Sequence, residues 1–188
     1  MRKPDWREWL RNKNECKKWL NFYLDKKIIR RASLSKEDYF RKSLHNFDFG
    51  NFILDKHKKE IPSIFGKEKF YDWVVTAYYY AIYHSTLALL SLKNLSSKSH
   101  FATLCALIYY FYHEKKLSKR EIELVAESYE KNIGKEDLEL FVDAKGMRER
   151  ASYGVQASFE LYIVSKLKED TRKFLEKVKR MLEQDMKE

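Results

Sequence analysis

Apolar positions recur along this chain at the helical period, and strand-like alternation is absent throughout. Trp6, Trp9, Leu10, Cys16, Leu20, Tyr23 and Leu24 share one face of a helix predicted over residues 5–31. Leu34 to Tyr39 reads as a capped helix start, with Ser35 accepting from the backbone, Asp38 reaching back and Leu34 stapled to Tyr39. That second helix is predicted to run to about Glu60 and to be closed by Ile61-Pro62 and Gly66. Residues 68–93 are apolar nearly all round, the pattern of a helix buried on several sides. Within it Ala77, Ala81 and Ser85 leave a thin face that a neighbouring helix can approach closely.

A turn is predicted from Asn94 to Ser97, and then a helix from Phe101 to Glu114 with Leu104, Ile108 and Phe111 on one stripe. Ser118 and Glu121 form a capping box, with Leu117 and Ile122 as its staple, opening a helix that ends near Gly134. A short helix from Glu136 to about Met147 and a long one from Ala157 to Asp185 follow. The packed seam expected on the last is Ile163, Leu167, Phe174, Val178 and Met181. The fold class is therefore all-α, an up-and-down bundle of four to five core helices with an N-terminal helical extension. Residues 31–35 are the expected boundary, dividing an extension over 1–34 from a bundle domain over 35–188.

Composition narrows this further. Five glycines and two prolines in 188 residues are too few for the many turns of a sandwich or barrel. Cys16 and Cys105 are far apart and lack metal-ligand spacing, which argues against a disulfide framework or zinc site and fits a reducing, cytoplasmic setting. No metal or cofactor is expected. The start of the chain has no apolar signal-peptide core. Val74 to Leu92 is the one candidate membrane span, but four tyrosines, His84, Ser85 and Thr86 mark it as a buried helix, so no membrane partner is expected.

The net charge of +10 is uneven: residues 1–34 carry eleven Lys/Arg against four Asp/Glu, whereas residues 135–188 carry twelve of each. In the basic segment Trp6, Trp9, Trp19, Phe22 and Tyr23 interleave with the cations. This is the composition of a nucleic-acid surface, with charge for phosphates and rings for bases. It is equally that of an amphipathic helix packing its rings on a bundle and solvating its lysines.

The polar segment Arg148-Glu149-Arg150-Ala151-Ser152-Tyr153 stands between two helical patterns, flanked by Gly146 and Gly154. Core packing does not require it. A guanidinium matches two phosphate oxygens at once and keeps its charge at any physiological pH. Read plainly it is a helix connection whose arginines pair with nearby acids; read chemically it is a phosphate clamp. Lys98 and His100 join it as candidates, a cation and an imidazole near a helix N-terminus, where anions are favoured.

In this order, Ala77-Tyr78-Tyr79-Tyr80-Ala81-Ile82-Tyr83-His84, Leu87 to Leu90, Lys98-Ser99-His100 and Arg148 to Tyr153 resemble the HEPN domain. The likeness is to its small prokaryotic subgroup with an Arg-x-x-Ala-Asp-Tyr motif, and it covers about residues 36–185. The resemblance implies a bundle that forms a homodimer, and a toxin-like, metal-independent ribonuclease or RNA-binding component of a two-component toxin–antitoxin or defence module. It also implies an antitoxin partner of the MNT nucleotidyltransferase type. Arg148 matches the arginine that holds the scissile phosphate. Tyr153 stands where the family has a histidine, and Ser152 replaces the aspartate.

A phenol is a poor general base at neutral pH, which leaves Tyr153 a proton donor, an orienting group or a target for AMP attachment by the partner. Arg150, Lys98, His100 and Ser152 are the accessory phosphate or nucleic-acid contacts. The alternative is a non-catalytic helical subunit that binds nucleotide or the transferase.

Overall fold

The computed structural model describes residues 4–132 and 161–185. Helices α1 (Trp6–Arg11), α2 (Lys13–Asp25), α3 (Lys36–Lys56), α4 (Glu60–Phe65), α5 (Tyr71–Ser91), α6 (His100–Leu107), α7 (Lys119–Asn132) and α8 (Leu161–Asp185) build it. Two short strands, β1 (Ile29–Arg31) and β2 (Leu95–Ser97), accompany them. The molecule is an all-α bundle around α5.

The centre is α5, and the sequence explains why. Fourteen of its 21 residues are buried, and the little it shows to solvent is mainly Asp72, Trp73 and Tyr80. Its partner α3 runs antiparallel beside it. His57 near the end of α3 meets Phe70, Asn51 meets Tyr78, and Ser43 meets Ala81. The thin face expected at Ala77 and Ala81 is where α3 comes closest. There the Ser43 hydroxyl donates to the Ala81 carbonyl at 2.6 Å. A Cβ added to Gly50 would lie 2.7 Å from the Tyr78 ring and 3.2 Å from the Ala77 methyl. Only glycine permits this approach.

Helix α8 packs against α5 and α3, and α6 and α7 complete the bundle. On α8 the seam is Val164, Thr171, Phe174, Leu175, Val178 and Leu182, with Leu167 and Met181 at its edge. Ile163, expected in that seam, is exposed, and Val164 takes the buried position there. The Ser118–Glu121 box forms as expected. The Ser118 amide donates to the Glu121 carboxylate at 2.6 Å, and Lys177 of α8 adds an ion pair at 2.8 Å that ties the two helices. Burial is the largest single effect on the Glu121 carboxyl and raises its pKa. The Lys177 bond and the Ser118 donors together outweigh burial and hold the group below its usual range.

Several expectations need correction. The helix over 5–31 is two helices and a strand. Asn12 ends α1 in an extended conformation and caps α2 through its side chain, which accepts from the Glu15 amide. The helix from Ser35 ends at Lys56, and Pro62 lies in the first turn of α4, where a missing N–H costs nothing. The turn after α5 becomes a strand: Asn94 adopts φ 56° and Leu95 to Ser97 pair antiparallel with β1 in the register Ile29 with Ser97. Ser35 does cap α3, but Leu34 is exposed.

The chain passes from β1 into α3 between Arg31 and Lys36, and the core runs across that point. Trp6, Trp9, Cys16, Trp19, Leu20, Tyr23 and Ile29 belong to the same buried cluster as α5, α6, α7 and α8. His113, beyond α6, donates from Nε2 to the Trp9 carbonyl at 2.9 Å. Trp6, Trp9, Trp19 and Tyr23 of the basic segment are thus bundle core, with Phe22 half-buried at its edge, and each buried ring contributes about 2–3 kcal/mol.

Candidate functional site at the start of helix α6

The short sheet decides where α6 begins. Ile29 and Ser97 pair and are both buried, and the residue that follows each, Arg30 on β1 and Lys98 after β2, is exposed. Arg30 is held by a hydrogen bond from its Nε to the Lys27 carbonyl at 2.7 Å, and Lys27 takes φ 56° to make that turn. Arg31 and Lys98 are exposed. The strand pairing brings Arg30 opposite Ser96 and Arg31 opposite Leu95, so the N-terminal segment runs alongside the strand that leads into Lys98.

Ser99 then caps α6, its hydroxyl accepting from the Ala102 amide, while the Thr103 hydroxyl donates to the Ser99 carbonyl at 2.8 Å. The cap fixes His100 in the first turn, half-buried against three tyrosines. Its Nε2 lies 2.9 Å from the Tyr79 hydroxyl. Its ring stands 4.7 Å from Tyr129 and 5.2 Å from Tyr83, centroid to centroid. Tyr83 in turn donates to the Ser97 carbonyl at 3.0 Å, tying α5 to the strand that feeds α6.

Tyr129 is the fully enclosed member. Burial pushes its phenol well above the ordinary value, Tyr83 and Tyr79 add to the rise, and Thr86 pulls slightly back. It is a packing wall and stays neutral. One turn along α5 from Tyr79 and Tyr80, His84 stacks on Tyr80, and its Nδ1 is buried without a partner among the described residues. Burial lowers its pKa to about 4, with Lys42 contributing, so at neutral pH it is an uncharged ring.

Chemically, the start of α6 offers an imidazole, a phenol in hydrogen-bond contact with it and an exposed ammonium. Such a set can hold an anionic group and exchange a proton with it. Among the described residues no group of three or more His, Cys, Asp or Glu side chains is placed to hold a metal ion.

Of the residues singled out in the sequence, Lys98 and His100 come together here. Arg148, Arg150, Ser152 and Tyr153 lie outside the described residues, as do the short helix from Glu136 and the chain around Gly134. Sequence reasoning missed Tyr79, Tyr83 and Tyr129 as partners of His100, and the pairing of the Arg30 strand with β2. The first two were visible as part of the tyrosine run on α5; Tyr129 and Arg30 gave no local signal.

It also missed His57. This ring donates from Nδ1 to the Ile53 carbonyl and accepts the Phe70 amide at Nε2, both at 2.9 Å, so it is a structural staple between α3 and α5. No helix among the described residues is long and apolar enough to cross a membrane. A scan against protein-family models finds no match for this chain, and a search of curated proteins finds none either.

Proposed function

We propose that this protein is a HEPN-like RNA-binding component of a two-component toxin–antitoxin or defence module, acting as a metal-independent ribonuclease. In this reading Arg148 clamps the scissile phosphate and Tyr153 orients it or donates a proton. Arg150, Ser152 and Lys98 add phosphate contacts. The protein works in the cytoplasm as a homodimer, beside an MNT-type nucleotidyltransferase. The ribose 2′-hydroxyl attacks its own phosphate, a step that rewards positioning and charge neutralisation.

The observation that carries the reading is the cluster at the start of α6. There the half-buried His100 imidazole meets Tyr79 at 2.9 Å, with Lys98 exposed two residues before it. Tyr153 is a weak base at neutral pH, and His100 is a group of suitable type to move the proton. The all-α bundle and the order of the motifs along the chain agree with the same family.

The test is cleavage of a mixed RNA pool in EDTA by wild type, Arg148→Ala and His100→Ala proteins of equal thermal stability. Wild-type cleavage that leaves 2′,3′-cyclic phosphate ends and falls at least tenfold in Arg148→Ala supports the ribonuclease. Failure of all three to cleave at protein in excess of RNA overturns it. One observation favours the second reading, a non-catalytic subunit that binds nucleotide or the transferase: His100 Nε2 is engaged by Tyr79 rather than open. Saturable nucleotide binding without turnover would establish that reading instead.

A further inference from the structure

The two cysteines, 89 residues apart in sequence, meet in the core. Cys16 on α2 and Cys105 on α6 are both fully buried, and their sulfurs lie 3.9 Å apart. Each thiol also reaches the other residue's carbonyl, Cys16 Sγ to the Cys105 oxygen and Cys105 Sγ to the Cys16 oxygen, both at 3.5 Å. The reciprocal contact means that the two helices cross with these residues facing each other at their closest approach. A covalent bond here would join the N-terminal layer to the bundle where ring packing and the His113 bond to Trp9 now hold it.

We infer that Cys16 and Cys105 are a redox staple: thiol–disulfide exchange with a low-molecular-weight disulfide converts them to an intramolecular disulfide that locks α1 and α2 onto α6. In the first step the thiolate of one cysteine attacks the small disulfide, forming a mixed disulfide and releasing one small thiolate. In the second the other cysteine displaces the remaining small thiolate and closes the protein bond. Two protein thiols are oxidised, one small disulfide is reduced to two thiols, and the two protons leave with them. The sulfurs must close from contact to bonding distance, about 2.05 Å, a movement that side-chain rotation and a slight helix shift supply.

The reaction is gated by the fold. Burial, reinforced by the hydrogen bond and charge of Cys16, pushes the Cys105 thiol far up, so the closed core holds too little thiolate to react. Exchange proceeds when α1 and α2 lift from α6, and the disulfide then fixes the layer in place. The staple would act on the start of α6 as well, because Cys105 lies on the helix that His100 opens. This inference stands apart from the RNA reading, since it concerns the thiols alone.

The experiment incubates the full chain with oxidised glutathione in urea below the unfolding transition, then removes the urea and weighs the intact protein. The expected product is a monomer lighter by two hydrogens, with Cys16 and Cys105 linked in its peptide map. Its melting temperature should be higher by about 5–15 °C and return to the starting value on reduction. Cys16→Ala, which keeps the burial, should instead gain one glutathione and melt no higher. The staple is overturned if the wild type carries glutathione on both cysteines, links between molecules, stays reduced after repeated opening, or closes the bond and melts lower.

Discussion

Two regions of this molecule are rich in rings, and they use them in opposite ways. In the N-terminal layer, Trp6, Trp9, Trp19 and Tyr23 are buried, the last three packed on one another at tilted and edge-on angles, and the lysines between them are exposed. At the start of α6, Tyr79, Tyr83 and His100 carry polar tips that bond to one another and to the backbone, next to exposed cations. The first arrangement buries its rings as core and leaves its cations outside, with Arg7 lying over the outer face of Trp6 at 4.4 Å. The second keeps ring, polar group and charge at one place. A basic, aromatic composition is therefore insufficient to mark a nucleic-acid surface: bases need an accessible ring face, and the buried N-terminal rings have none to offer.

The largest effect that separates the two regions is on stability. Trp9→Ala should cost about 3–5 kcal/mol in urea denaturation, because a fully buried indole leaves a cavity in the common core. His100→Ala should cost about 1 kcal/mol or less, while RNA binding or cleavage falls at least tenfold. The comparison breaks if the costs are reversed.

A smaller effect is expected from pH. His84 is held at a pKa of about 4, below the unfolded value near 6.5, so the unfolded chain binds the extra proton between those values. Stability is then unaffected by His84 above about pH 6.5 and declines as pH falls toward 4. The loss is at most about 2 kcal/mol, because the ring is only half-buried and partly screened. Thermal melts from pH 7 to 4 should show this decline in the wild type, and His84→Gln should flatten it.

The smallest effect on stability tests the surface cations. Lys13, Lys17 and Lys18 are exposed on α2, and replacing all three with Gln should change stability by about 0.5 kcal/mol or less. If they bind phosphates, the dependence of RNA affinity on salt should flatten, by up to about one in log–log slope for each phosphate no longer neutralised. An unchanged slope would confine the nucleic-acid surface to Arg30, Arg31, Lys98 and their neighbours. Deleting residues 1–31 is a poor substitute for this experiment, because it removes core residues along with the charge.

The sequence by itself determined the helical class, the central position of α5 and the caps at Ser35 and Ser118. These follow from local rules: the helical period, a helix with no polar face and a hydroxyl placed three residues before an acid. It also placed Lys98 and His100 at a helix start. Only the tertiary structure decided that the N-terminal segment belongs to the core, because one amphipathic pattern serves a free helix and a packed one equally well. The approach of Cys16 to Cys105, the pairing of Ile29 with Ser97 and the enclosure of His100 by Tyr129 are likewise long-range. Each joins segments with no local signal for one another, and such contacts form only when packing around α5 brings the segments together.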